Sequence, residues 1–314
     1  MRISPGLVVT YNPTEEFFVN LHILLTQMSP LLVVDNGSNT EIRQQLEDKA
    51  KAYSSLRLHF NESNLGIASA LNYGFEWAIS QGYGCLIVFD QDSLPTSGMT
   101  EELLAVYEAH PNRDRIAILS PQIQDALTGE RITYLKKRSA FSMERVSCQT
   151  DLLEDVALVV TSGSLNNLVA FQKIGRFRDD FFIDYVDTEY CLRAALHGYK
   201  IVVTCNAVLH HRLGSQQHKR IGSVILRPTF HSPLRWYYIH RNRIVMFGAY
   251  ALLAPYWAIY DGIAGMYTFL KMLLYEDQKL RKTLAIFLGI FDGFFHRMGP
   301  ISQSYRGWLL KEKE

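Results

Sequence analysis

CLIVFDQDSLP, residues 85–95, decides the fold. CLIVF is a short continuous apolar run, stopped by acids and then by Ser-Leu-Pro, and reads as a strand buried on both faces. Upstream, GIASALNYGFEWAISQG (66–82) has helical spacing and stops at Gly82. Before it, LRLHFN (56–61) alternates as a strand, and TEIRQQLEDKAKA (40–52) is a polar amphipathic helix with Thr40 as its cap. LLVVDN (31–36) is another buried strand closed by an NGS turn, residues 14–27 are helical, and LVVTY (7–11) is the first strand. Downstream, a helix is expected over 99–109 and a strand over IAILSP (116–121). This alternation implies an α/β fold, a mostly parallel sheet with helices on both faces. Ligands bind such sheets beyond the carboxyl ends of the strands. That rule selects Thr10–Asn12, Asp35–Ser38, Asn64 and Asp90–Asp92.

The rest of the chain is less regular. RITYLK and ALVVTSG read as strands, 187–198 as a helix and IVVTCNAVLHH as a strand. Beyond about residue 230 the composition changes, so a domain over 1–230 is expected to precede a helical region over 231–314. Ile244 to Leu270 carries one charge, Asp261, and is long enough to cross a bilayer. Pro255, three glycines and scattered aromatics favour helices that lie in a membrane surface instead. The N-terminal MRISPGLVVTYN reads as the first strand and shows no secretory signal.

Composition narrows the function. With 48% hydrophobic and 20% charged residues among 314, the chain is neither disordered nor collagenous. Thirty-two basic against 31 acidic side chains, a net charge of +1, argue against nucleic-acid binding. The balance hides an asymmetry. Residues 1–209 hold 17 basic and 25 acidic side chains, whereas 210–314 hold 15 and 6. His210 to Arg243 contains no acid at all. Cys85, Cys148, Cys191 and Cys205 form no CxxC pair and read as reduced thiols of a cytosolic protein. No G-x-G-x-x-G follows the first strand and no P-loop motif occurs, which sets dinucleotide and P-loop chemistry aside.

The sharpest chemical signal is FDQDS (89–93). Two carboxylates one residue apart at a strand end can share a hard divalent cation that also takes phosphate oxygens. An isolated D-x-D is more often a plain turn, but here it follows VTYN, VVDNGS and NLGIASALNYG at successive strand ends. Together these resemble the GT-A-fold, inverting glycosyltransferases of family 2, and within them the bacterial rhamnosyltransferases that use dTDP-L-rhamnose.

The resemblance spans about residues 5–240 and implies roles. Thr10, Tyr11 and Asn12 would line the nucleoside pocket, and Asp35 would accept from the base. Asn64, Gly66 and Asn72 would form the wall beside base and ribose. Asp90 would face ribose and metal, Asp92 would bind Mg²⁺ or Mn²⁺, and His211 of LHHRLG would complete the metal site. Asp187 would be the general base. The family's usual Glu-Asp pair is Val186-Asp187 here, which keeps Asp184 and Glu189 in view as bases or sugar-orienting groups beside Arg193. Gly163 and Ser164 of TSGSLNN would border donor and acceptor sugars. In HSPLRWYYIHRN and the residue after it, Arg235, Arg241 and Arg243 would grip phosphates, and Tyr237 and Tyr238 would meet a sugar or a membrane.

The resemblance implies a metal-dependent transfer of rhamnose to a polyprenyl-diphosphate-linked saccharide in cell-surface polysaccharide (O-antigen type) synthesis. The enzyme would sit on the cytoplasmic face of the bacterial plasma membrane, with no nucleic-acid partner and with homo-oligomerisation open. The alternatives are a family 2 enzyme using UDP-galactose or UDP-glucose, or a catalytically idle glycan-binding subunit.

Overall fold

A computed structural model describes residues 4–211, 219–221, 224–226 and 230–310. The chain forms two units: Met1–Lys136 with Arg145–Asp179 and Val186–Arg212, and Lys137–Glu144 with Asp180–Tyr185 and Leu213–Glu314. The expected boundary near 230 therefore moves to 212, and two short inner segments belong to the second unit. They escaped notice because nothing in their composition separates them from the first.

In the first unit the order is β1 (Ser4–Thr10), α1 (Glu15–Gln27), β2 (Met28–Asp35), α2 (Thr40–Ala52), β3 (Leu56–Phe60), α3 (Ile67–Ser80), β4 (Cys85–Asp90), β5 (Leu94–Pro95), α4 (Met99–Ala109) and β6 (Ile116–Asp125). Then come β7 (Tyr134–Lys137) and β8 (Met143–Val146), whose Lys137 and Met143–Glu144 belong to the second unit, followed by β9 (Leu152–Leu153), β10 (Val156–Leu158), β11 (Leu165–Asn167), α5 (Leu168–Ile174), α6 (Val186–Leu196) and β12 (Lys200–His211). The sheet runs β3-β2-β1-β4-β11-β6-β12-β5, with β9 beside β12. Strands β1 to β4 are parallel, as the alternation requires. The apolar runs fill its centre: Leu7, Val8, Val33, Val34, Leu86 and Ile87 are fully buried.

Three features position the site. Register is the first: Thr10 lies opposite Asp35, Asp35 opposite Phe60, and Val9 opposite Asp90, so the polar strand ends share one edge. The second is β11, antiparallel to β4 and β6, which carries the TSGS turn to the tip of β4. The third is β12. Its pairing with β6 shifts between Thr204 and Val208, and beyond the shift its end pairs with β5, Leu209 opposite Pro95 and His210 opposite Leu94. That short contact closes a gap of 118 residues between His211 and Ser93.

The expectation of four free thiols is corrected. Cys148 and Cys205 form a disulfide, with Cα atoms 5.6 Å apart, while Cys85 and Cys191 are free. The pairing follows from β9 lying against β12 and from the Cys205 N–H donating to Asp151, contacts that Cys spacing does not encode.

Gly37 has φ +86°, and a Cβ there would lie 2.5 Å from the Ser63 carbonyl carbon. Backbone cannot yield as a flexible side chain does, and the conformation already disfavours L residues. Gly37→Ala is expected to destabilise the protein by about 2–3 kcal/mol, read as a lower midpoint in urea unfolding. An unchanged midpoint would refute this tight approach of the two loops.

The second unit contains the strands Lys219–Ile221 and Val224–Leu226 (β13, β14) and the helices α7 (Pro233–Tyr250), α8 (Pro255–Tyr275), α9 (Lys279–Phe294) and α10 (Gln303–Leu310). Ser232 caps α7, accepting from the Arg235 N–H, and Pro233 occupies its first turn. The run Ile244–Leu270 is not one helix: α7 ends at Tyr250 and Pro255 starts α8. Among the described residues no helix is long and apolar enough to cross a membrane.

Candidate active site

Asp35 anchors the first half of the site. It is fully buried, accepts the Thr10 hydroxyl (3.2 Å) and the Ser38 hydroxyl (2.5 Å) on Oδ1, and accepts the Ser38 N–H (2.9 Å) on Oδ2. Ser38 Oγ also accepts the Asn12 N–H, while the Asn12 side chain accepts the Asn39 N–H. Thr10, Asn12 and Asp35 are therefore one interlocked turn. Tyr11 is 42% exposed beside it, its N–H donating to Gln91 Oε1 at 2.8 Å.

The next loop is built around Asn36. Its amide donates to Asn64 Oδ1 and the Gly66 carbonyl, and its oxygen accepts from Asn61 and the Leu65 N–H. Asn64 also accepts the Gly66 N–H. Asn64 and Gly66 thus shape the wall of the strand-end edge. Asn72 does not reach that edge. It is fully buried and grips both the N–H and the carbonyl of Phe177 at 2.9 Å, so its expected place beside a nucleoside is corrected to a tie between α3 and a distant loop.

The D-x-D end of β4 holds the acids. Asp90, Asp92 and His211 each offer a ligand atom, all within 4.8 Å of one another. Two carboxylates and an imidazole suit Mg²⁺ or Mn²⁺, leaving room for phosphate oxygens. A hydroxyl relay builds this arrangement. The Asp90 N–H donates to Ser162 Oγ (2.9 Å), Ser162 bonds Ser93 (2.7 Å), and Ser93 bonds His211 Nδ1 (2.8 Å). Burial depresses the His211 pKa, partly offset by Asp92 and Asp125, which favours the neutral ring a metal needs. Burial pushes the Asp90 carboxyl up to about 7, with the charges of Asp187 and Asp92 adding to it.

Asp187 stands in the first turn of α6, half-buried, and accepts a hydrogen bond from the Thr161 hydroxyl. Its charge is close enough to Asp90 to raise that group's proton affinity, so the three acids share one field. The TSGS turn lies alongside. Gly163 has φ +76°, and a Cβ there would meet Leu209 at 2.6 Å. Ser164 is buried, its hydroxyl on the Val160 carbonyl and its backbone paired with Val88. This turn presents its Thr161 and Ser162 hydroxyls, whereas Ser164 supports it from below.

Two expected substrate contacts are corrected. Glu189 is 2% exposed and holds Arg193 through two hydrogen bonds, at 2.9 and 2.8 Å. Arg193 also donates to the carbonyls of Ile174 and Arg176. The pair, one helical turn apart, ties α6 to the end of α5 and offers no sugar-binding face.

The basic segment of the second unit differs likewise from expectation. Arg235 pairs with Asp184 at 3.0 Å, and Arg243 with Asp261 and the Tyr185 hydroxyl at 2.8 Å. Arg241 is fully buried and donates to the carbonyls of Gly299, Asp180 and Phe181. Tyr237 and Tyr238 are buried too, bonded to Asp292 and the Ile301 N–H. All three guanidinium groups are engaged by carboxylates, a hydroxyl or carbonyls within the second unit.

Sequence reading missed the relay Ser93–Ser162–His211 and the Thr161 contact. Ser and Thr are too common at turns to stand out, and only the β12–β5 and β11–β4 pairings bring them together.

One strand-end edge thus carries a polar turn, a cation-ready Asp-Asp-His group and a separate acid. The sequence model of Glycosyl transferase family 2 matches residues 9–142, and the chain belongs to that family of glycosyltransferases. It is 30% identical over 248 residues, 77% of this chain and 78% of the relative, to the dTDP-rhamnosyl transferase RfbF of Shigella flexneri. Among solved structures, GalNAc-T7 with UDP, GalNAc and Mn²⁺ is similar at TM-score 0.59 and 14% identity, over 78% of this chain and 47% of that one. The Pyrobaculum calidifontis mannosyltransferase PcManGT with GDP-Man and Mn²⁺ is similar at TM-score 0.53 and 13% identity, over 98% and 82%. The shared fold is GT-A-like.

Proposed function

We propose that the chain is an inverting rhamnosyltransferase. It would take dTDP-β-L-rhamnose as donor and form an α-rhamnoside on a hydroxyl of a polyprenyl-diphosphate-linked saccharide. The observation that carries this reading is the gathering of Asp90, Asp92, His211 and Asp187 from three distant stretches around one strand edge. Similarity to a dTDP-rhamnosyl transferase supports the donor.

Asp90, Asp92 and His211 would hold the divalent ion, which when bound neutralises the charge developing on the departing diphosphate. The Asp35 turn receives the thymine and Tyr11 lies against the nucleoside. The acceptor oxygen attacks the anomeric carbon as the carbon–oxygen bond to the β-phosphate breaks. Asp187 takes the hydroxyl proton, and Thr161 fixes the orientation of its carboxylate.

The lipid tail of the acceptor is supported by the second unit. Leu280 (73% exposed), Phe287 (63%), Phe294 (69%) and Ile263 (68%) project from α8 and α9. Phe287 also lines an apolar groove of about 290 Å³, together with Phe247, Met266, Phe269 and Ile290. Isolated exposed apolar residues are ordinary, but several large ones on two consecutive helices, beside an apolar groove, fit an interaction surface. This face would lie in the cytoplasmic leaflet.

The test is a panel of nucleotide sugars with Mn²⁺ or Mg²⁺, with and without chelator, on synthetic undecyl-diphosphate mono- and disaccharides. Rhamnose transfer from the dTDP donor that stops on chelation is expected; preference for a UDP-hexose would overturn the donor. Phe287→Asp combined with Phe294→Asp is expected to cut sedimentation with anionic vesicles at least about fivefold. Unchanged sedimentation would refute the membrane face.

A further inference from the structure

The second unit contains a six-residue segment, Asp180–Tyr185, whose backbone is unusual. Phe182, Asp184 and Tyr185 have φ values of 65°, 62° and 62°. Asp adopts that region more readily than most L residues, but Phe and Tyr rarely do, and such strain persists only where the surroundings impose it. The surroundings here are one face of α7. Arg241 holds the carbonyls of Asp180 and Phe181. The Asn242 amide donates to the carbonyls of Phe181 (3.0 Å), Ile183 (2.8 Å) and Asp184 (3.0 Å). Tyr238 stacks on Phe182 at 5.0 Å between ring centres. Arg235 pairs with the Asp184 carboxylate, and Arg243 with the Tyr185 hydroxyl and Asp261. Every residue of the segment is thus held by an α7 side chain, and Arg241 and Asn242 are fully buried in doing so.

The segment ends one residue before α6 begins at Val186, and Asp187 follows. We propose that Arg235, Tyr238, Arg241, Asn242 and Arg243 are positioning residues: they template the left-handed turns of 180–185, and those turns fix the position of Asp187. Consecutive Cα atoms are about 3.8 Å apart, so the two-residue link from Tyr185 to Asp187 leaves little slack. A loop that must be forced into this conformation relaxes when a clamp is removed, and the first turn of α6 moves with it. The inference rests on the reading of Asp187 as the base. It also gives the α7 arginines of the basic, acid-free stretch a role other than anion binding.

The test uses the full chain and two readouts. The first is the ratio of rhamnose transfer to donor hydrolysis within one preparation, which cancels any loss of active enzyme. Water can relocate toward a displaced carboxylate, whereas the hydroxyl of a bound sugar cannot. Asn242→Ala is expected to lower the ratio by about 10–100-fold, the scale of a misplacement near 1 Å. Arg235→Gln, at a half-exposed position where folding is safe, is expected to lower it less, and Arg235→Lys to restore most of it. The second readout is amide hydrogen exchange over 180–190. It is expected to quicken in both Arg235→Gln and Asn242→Ala, with dTDP binding within twofold of wild type. Failure of the wild type to transfer rhamnose would sink the rhamnosyltransferase reading while the exchange result still decides the clamp. Unchanged exchange in Arg235→Gln, or an unchanged ratio in both variants, would overturn the clamp.

Discussion

Asp187→Asn is expected to cut rhamnose transfer by about 10²–10⁴-fold, the usual contribution of a general base, while leaving dTDP binding intact. The substitution keeps shape and lets the amide oxygen accept from Thr161 as the carboxylate does. What it removes is the proton acceptor of the proposed mechanism. The neighbouring acids cannot substitute for it: Glu189 is locked by Arg193, and Asp184 is paired with Arg235. A second signature separates loss of the base from misfolding. The Asp187 charge is one of the causes that raise the Asp90 carboxyl to about 7. Its removal lets Asp90 ionise at lower pH, so Mn²⁺ binding near pH 6 should strengthen in the variant as transfer collapses. Full transfer activity would exclude Asp187 as the base. Lost transfer with weakened Mn²⁺ binding would instead assign it to the metal site.

Much of this site is legible in the sequence because strands end where hydrophobic runs end. LVVT, LLVVD and CLIVFD each stop at a polar residue, and parallel pairing then sets Thr10, Asp35 and Asp90 on one edge. His211 was legible only through family resemblance. The physical reason for its place, a register shift in β12 that lets it meet the two-residue strand Leu94–Pro95, leaves no pattern in the residues. Buried polar side chains misled most. Asn72, Glu189, Arg193 and Arg241 resemble ligand-binding groups, yet each satisfies carbonyls or a partner charge inside the protein. A buried guanidinium and a phosphate-gripping one read alike until the carbonyls it serves are located. The disulfide was hidden similarly, by a sequence separation of 57 between its cysteines.

Asp92→Asn is expected to lower transfer by at least about 100-fold, since disturbing even an outer-shell partner of a metal ligand costs 10–100-fold. It should also abolish the Mn²⁺ dependence of dTDP binding. The pH profile carries the physical content. The Asp90 carboxyl holds its proton up to about 7 because burial and the charges of Asp187 and Asp92 oppose ionisation. A cation bound by Asp90 must displace that proton, so Mn²⁺ affinity should fall about tenfold per pH unit below that value. Without metal the folded chain binds this proton more tightly than the unfolded chain does. Stability should therefore decline as pH rises from the ordinary carboxyl range toward 7. Mn²⁺ reverses the trend by supplying the missing positive charge, which makes its stabilising shift in Tm larger at pH 8 than at pH 6. In Asp92→Asn one ligand and one repelling charge disappear together. The Mn²⁺ shift should shrink at both pH values, and the metal-free protein should lose less stability between them. An Mn²⁺ shift in Asp92→Asn equal to that of the wild type would show that the ion is held elsewhere.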